Sequence, residues 1–234
     1  MTARPGAVLL DLDDTLVDHE GAARGAVLAF AATHGPAGEP DELVRRWQAL
    51  TDRYYPRYQR RELTLDEHRR ERIRAFLGQP DLRDADADAR FGVYQCAYRD
   101  RWRAHADAAP ALRALREAGV PLAVLTNGER DIQTAKLRAT GLLELVDVVA
   151  ASSHLPAAKP DPRAFTATAD LLGVAVARTV MVGDSVENDV AGALGAGAAA
   201  VHLDRSGAGP GAEVVGALRI PTLAALPGLV LAAE

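Results

Sequence analysis

Cysteine is nearly missing from this sequence. Cys96 is the only one in 234 residues, so neither a disulfide framework nor a cysteine-rich zinc site can be built within one chain, and a reducing cytoplasm is the expected compartment. An excess of basic charge is missing as well. The 27 lysines and arginines face 32 aspartates and glutamates, a formal charge of −5, which excludes a general nucleic-acid or anionic-membrane binder that needs a basic face. Small molecules are the expected partners. The opening MTARPGAVLLDLDD reaches an apolar run of only four residues before its acids, far short of a signal peptide or membrane span. A soluble chain not exported by that route is expected. Lysine is scarce too: Lys136 and Lys159 alone break an otherwise all-arginine basic set, so each is worth asking about.

What is present can build a core. The chain is 48% hydrophobic, and its length suits one large domain or two small ones. Five short runs rich in valine, leucine or alanine read as buried parallel strands: residues 7–10, 120–125, 146–150, 179–182 and 199–203. Helical patterns lie between the later four, over residues 129–140, 162–172 and 185–194, each closed by a glycine of the kind that ends helices. Alternating strand and helix predicts an α/β fold, a Rossmann-like three-layer core whose parallel sheet is covered on both faces and whose ligands lie outside the carboxyl ends of the strands.

The first crossover breaks this rhythm by about ninety residues, even after the helix expected at 110–118 is set aside. Residues 18–105 show helical patterns and no convincing strand, which predicts an all-helical domain inserted into a core made of residues 1–17 and 106–234. The insert is nearly neutral, with 16 basic and 15 acidic residues, yet Arg45 to Arg74 holds ten arginines against five acids. A solvated helix face with ion pairs at helical spacing is the expectation there; steering of an anionic substrate is the alternative. Trp47, Tyr54, Tyr55 and Tyr58 are expected in the core of the insert, and Cys96 as a small core residue beside Tyr94, Tyr98 and Trp102. Residues 207–213 (GAGPGAE) read as a flexible surface loop.

Four short signals fall at or just beyond predicted strand ends: DLDDT at 11–15, TNG at 126–128, Lys159 in AAKPDP, and GDSVEND at 183–189. Singly, each admits a plain role as a helix cap, a turn or a surface lysine. A shared sheet edge would bring them together across more than 170 residues of sequence. In this order the motifs resemble those of the haloacid dehalogenase superfamily: Asp11, Asp13 and Thr15, then Thr126, then Lys159, then Gly183, Asp184 and Asp189. The resemblance covers most of residues 7–205, with KLRATGL, KPDPRAF and GDSVENDVAGALGAG among its details, and the insert stands where that family carries its helical cap.

The resemblance implies a chemistry. Asp11, Asp13, Asp14 and Asp18 crowd four like charges into eight residues, which is tolerable when a divalent cation sits among them, and a hard oxygen-ligand set suits Mg2+. By the resemblance, Asp11 and Asp184 ligate the metal, the Asp13 backbone carbonyl adds a third ligand, and Asp189 holds a metal-bound water. Asp11 is then the nucleophile that forms an aspartyl-phosphate, and Asp13 the acid and later the base. Lys159 compensates phosphoryl charge, while the Thr126 hydroxyl and backbone N–H groups near Asn127 bind phosphoryl oxygens. Gly128 and Gly183 allow close backbone approach. Asp14 is expected to stabilise the loop, Asp18 to be hinge or cap structure, and the six histidines, which show no ligand spacing, to be structural.

The second acid separates the family's chemistries. The dehalogenase branch lacks an aspartate there and needs no magnesium, so Asp13 favours a phosphomonoester hydrolase acting on a small nucleotide, sugar phosphate or phosphoglycolate type of ester. A phosphomutase shares all four motifs and remains an alternative beside the 2-haloacid dehalogenase. A receiver-like signalling domain would need an acid after a middle strand, where TNG stands, and would be about half this length. A catalytically dead phosphate-binding protein would have lost one of the acids. Hinges for a moving cap are expected near residues 17–19 and 104–108.

Overall fold

The short apolar runs form strands because both faces of the central ones are covered. In the computed structural model, which describes residues 4–206 and 216–232, these strands are β1 (Ala7–Leu10), β2 (Leu122–Thr126), β3 (Val148–Ala151), β4 (Thr179–Gly183), β5 (Ala199–Leu203) and β6 (Ala217–Ile220). All pairings are parallel, in the order β3-β2-β1-β4-β5-β6. The sixth strand was not among those expected: ALRI is an edge strand with Leu218 and Arg219 exposed, so it lacks the apolar run that marks the others. The stretch 207–213 lies outside the described residues.

Side chains alternate across the sheet with a period of two. Val8, Leu10, Val124 and Val182 pack with Leu112 and Leu115 of helix α5 (Ala108–Glu117) and Leu137 of α6 (Arg130–Ala139). Leu9, Ala123, Leu125 and Met181 pack the other way, with Ala164 and Phe165 of α7 (Pro162–Leu171). The sheet is therefore the middle of three layers. Its strand order reverses between β1 and β4, and in such sheets the crevice at that point takes the ligand.

The chain divides into two compact units, Met1–Asp18 with Arg103–Glu234, and His19–Trp102. The second is helical, built of α1 (His19–His34), α2 (Pro40–Gln59), α3 (Leu65–Leu77) and α4 (Asp84–Arg99). Helix α3 starts at a capping box, in which the Thr64 hydroxyl accepts from the Glu67 N–H and the Glu67 carboxylate from the Thr64 N–H; it stops at Gly78, whose φ of 68° suits glycine. The core of this unit is Phe30, Trp47, Ile73, Phe76 and Phe91. Tyr54 joins Trp47 inside, while Tyr55 and Tyr58 are half-buried. The segments flanking the helices pair with each other inside the first unit: Val17 bridges Ala104, Asp18 N–H donates to Arg103 O at 3.0 Å, and His105 N–H to Leu16 O at 2.9 Å.

Two expectations need adjustment. Cys96 is exposed, not core. The buried stripe of α4 runs through Ala87, Phe91 and Tyr94, and two residues past Tyr94 the helix has turned about 200°, which faces Cys96 outward. On α3, Arg69 pairs with Asp66 and Arg74 with Glu71 at the expected helical spacing. Arg70 and Arg74 also pair across to Asp84 of α4, and Arg70 to Asp88. Arg72 is no surface residue at all. It is 7% exposed, with its guanidinium 4.5 Å over the Trp47 ring and Nη2 donating to Thr51 Oγ1 at 2.7 Å. No helix among the described residues is long and apolar enough to cross a membrane.

Phe76 is fully buried and meets Trp47 edge-on at 5.1 Å. Phe76→Ala is expected to destabilise the helical unit by about 3–5 kcal/mol, read by tryptophan fluorescence in a urea titration. A loss under about 1 kcal/mol would mean the contact does not anchor that core.

Candidate active site

The site begins where β1 runs out. Asp11 N–H still donates to Val182 O at 2.9 Å, continuing the sheet, and the chain then turns sharply: Asp14 N–H donates to Val17 O at 2.7 Å and Val17 N–H to Leu12 O at 3.0 Å. Asp14 takes a left-handed conformation, φ 59°, which an aspartate tolerates better than most residues. Leu12 is fully buried between the two acids it separates, and the carboxylates of Asp11 and Asp13 reach different partners.

Asp11 faces Lys159. Lys159 Nζ donates to Asp11 Oδ1 and to Asp189 Oδ1, each at 2.6 Å, and the side chain is 3% exposed. Its backbone is gripped in turn by the Asn127 side chain, which accepts from Lys159 N–H at 2.8 Å and donates to Lys159 O at 2.9 Å. The Asn127 side chain thus serves Lys159. Asp189 lies in a π-helical turn, Val186–Ala191, whose wider winding follows Ser185: Val190 N–H reaches back five residues to Ser185 O at 3.2 Å. Asp189 Oδ2 accepts from Ser185 N–H at 3.1 Å, and a Cβ added at Gly183 would lie 2.1 Å from that same oxygen. Only glycine at the end of β4 leaves room for the carboxylate.

Thr15 Oγ1 exchanges hydrogen bonds with Asp184, donating to Oδ1 and accepting from N–H, both at 3.1 Å. Arg205 braces the same loop, donating to Thr15 O at 2.8 Å and to both oxygens of Asp107 at 2.9 Å. Thr126, at the end of β2, is 1% exposed; its Oγ1 accepts from Gln133 Nε2 at 2.7 Å, so its own proton is left to donate. Gln133 also donates to Asp13 Oδ2 at 3.3 Å, and Lys136 Nζ pairs with Asp13 Oδ1. Gln133 and Lys136, one turn apart on α6, were given no site role from sequence. The signal for Lys136 was its rarity; Gln133 left none.

Asp11, Asp184 and Asp189 offer oxygens within 4.8 Å of one another. Burial raises the Asp11 carboxyl well above the usual range, with Lys159 opposing and Asp189, Asp184 and Asp13 adding to it. Asp184 is pushed up to about 6, by burial and then by Asp189. Lys159 is held above its ordinary value, because the Asp11 and Asp189 carboxylates outweigh burial, which acts to lower it. Once ionised, the four carboxylates of Asp11, Asp13, Asp184 and Asp189 against the two ammonium groups leave an excess of two negative charges at the sheet edge. An all-oxygen donor set with that excess fits a hard divalent cation.

A family model of haloacid dehalogenase-like hydrolases matches residues 5–197, and the chain belongs to that family. The chain is 33% identical over 214 residues to the ribulose-1,5-bisphosphate 5-phosphatase of Halopiger xanaduensis, covering 86% of this chain and 85% of that protein. With a phosphoglycolate phosphatase of Cupriavidus necator it shares 33% over 231 residues, 97% of this chain and 94% of the other. The solved 2-haloacid dehalogenase of Pseudomonas syringae superposes with a TM-score of 0.71 at 27% identity, over 97% of this chain and 98% of that one.

The raised Asp184 carboxyl sets a sign. Between its unfolded value near 3.8 and about 6 the metal-free folded chain binds the extra proton, so this group's contribution to stability is lost as pH rises through that window. A divalent cation needs the carboxylates ionised. Its rise in Tm is therefore expected to be small at pH 5 and larger at pH 8, as read by differential scanning fluorimetry; an equal rise at both would count against the three-carboxylate site. Gly183→Ala is expected to lose about 1–3 kcal/mol and to abolish that rise, because Asp189 must leave.

Proposed function

We propose that this protein is a magnesium-dependent hydrolase of small phosphomonoesters that works through an aspartyl-phosphate on Asp11. The observation that carries the reading is the division of labour between the two acids after β1: Asp11 is buried against Lys159 in the metal-fit cluster, whereas Asp13 is turned to another side and half-buried. Asp11, Asp184, Asp189 and the Asp13 carbonyl would hold the ion. When bound it supplies charge neutralisation for the incoming phosphoryl group.

In this reading the Asp11 carboxylate attacks phosphorus, and the ester P–O bond breaks as Asp13 gives its proton to the leaving oxygen. Asp13, now ionised, takes a proton from water, and the resulting hydroxide displaces Asp11 to give inorganic phosphate. Lys159 and the Thr126 hydroxyl face the charge that builds on the phosphoryl oxygens, and backbone N–H groups near Asn127 complete the cradle. Residues 18–105 are the cap in this scheme, entered and left through the paired segments at 17–19 and 104–108. The cytoplasm is the proposed compartment, since the lone exposed thiol of Cys96 keeps there. The phosphatase names of the relatives of about one-third identity support hydrolysis; the dehalogenase neighbour keeps halide displacement as the second reading.

Phosphate release from a panel of p-nitrophenyl phosphate, sugar phosphates, nucleoside monophosphates and phosphoglycolate is expected to need magnesium and to fall on the order of 10⁴-fold or more in Asp11→Asn. Halide release from 2-chloropropionate without phosphate release would move the protein to the dehalogenase branch. Transfer of the phosphoryl group to sugar rather than water would make it a mutase.

A further inference from the structure

The proposed reaction leaves the buried Lys136 beside its acid without a part. Lys136 is 2% exposed, on the face of α6 that also buries Gln133 and Leu137. Burying an ammonium costs several kcal/mol, and an apolar side chain at that position would avoid the cost, as its neighbour Leu137 does in the core. Stability is therefore a weak reason for a lysine in a chain that otherwise uses arginine almost throughout. The partner is the informative part. Lys136 Nζ takes Asp13 Oδ1 and Gln133 Nε2 takes Asp13 Oδ2, so both oxygens of this one carboxylate are held from a single helix, while the Asp13 side chain keeps 28% of its surface open.

Resting on the phosphatase reading, we infer that Lys136, with Gln133, is a positioning residue for the acid and base of the reaction: it fixes the Asp13 carboxyl toward the leaving oxygen and then toward water, and keeps it out of the metal cluster. The ammonium occupies the oxygen that could otherwise turn toward Asp11, Asp184 and Asp189. Gln133 couples the same carboxylate to Thr126, so the residue facing the phosphoryl group and the residue handling the proton share one brace. An acid held in one rotamer meets the leaving group without a search, which is where orientation contributes to rate.

The consequence is selective. An alkoxide leaving group needs a proton in the first step, a nitrophenolate does not, and both need a base for water in the second. Lys136→Met is expected to lower kcat on an alkyl phosphate by about 100-fold with KM changed less than about threefold. On p-nitrophenyl phosphate the same variant is expected to keep a rapid burst of nitrophenol followed by slow turnover, with phosphoenzyme accumulating in acid-quenched samples. The effect should pass through Asp13: in an Asp13→Asn background, Lys136→Met is expected to lower slow p-nitrophenyl phosphate turnover no further.

Equal losses in the aryl burst and in alkyl turnover, unchanged kinetics, or full additivity with Asp13→Asn would each overturn the inference while leaving the phosphatase reading in place. A wild-type protein that releases no phosphate from either ester would overturn both. Should Lys136→Met fail to fold, Lys136→Arg is read on the same two esters. A loss of alkyl turnover with the aryl burst kept supports positioning, and a loss of neither, or of the burst as well, overturns it.

Discussion

The site hangs on one buried ammonium. Lys159 Nζ lies 2.6 Å from Asp11 and 2.6 Å from Asp189, and its backbone is clamped by Asn127. Asp11 follows β1, Asn127 follows β2, Lys159 comes beyond β3 and Asp189 follows β4, so a single side chain ties the ends of four strands into one edge. Burying this ammonium is costly, and the two carboxylates it bonds offset that cost while the ammonium between them screens their repulsion. Removing either half would leave the other as uncompensated buried charge, so the two are kept together.

Much of this was legible in sequence because the signals are local. Fully buried central strands read as unbroken apolar runs, as β1 does, and the partly buried β5 also falls where its run does. The acids, Thr126 and Lys159 stand just beyond strand ends, and a parallel sheet gathers those ends without further information. What escaped was information carried by contact rather than by pattern. Gln133 looks like any polar residue on a helix; its meaning comes from Thr126 and Asp13, seven residues and 120 residues away. The edge strand β6 has a half-exposed sequence that no apolar run betrays. Cys96 was misplaced because a small neutral residue beside aromatics fits either face of a helix, and only the phase of α4 decides.

The stretch after β4 shows how one function overrides ordinary helix formation. An α-helical start at Ser185 would follow from its side chain, which caps Asn188 N–H at 3.1 Å. The chain instead winds a π turn, which brings the fully buried Asp189 back over the end of β4, against the bare backbone of Gly183. A π turn has poorer packing than an α turn and persists where something else holds it. Here that is the bond from Asp189 to Lys159, so the irregular turn and the buried ion pair are two views of one constraint.

The two lysines divide the acids of the first loop between them. Aspartates two apart on a turning chain would compete for the same cation, and a carboxylate drawn to metal is poorly placed to carry a proton. Lys159 lies on the side of Asp11 and Lys136 on the side of Asp13, with Leu12 buried between. Each ammonium offsets the repulsion between the two carboxylates and holds its aspartate on its own side. An arginine at either position would spread its charge over a wider fork, where the geometry calls for a compact charge on one oxygen of each aspartate. That geometric demand accounts for two lysines surviving in a chain whose other basic residues are all arginine.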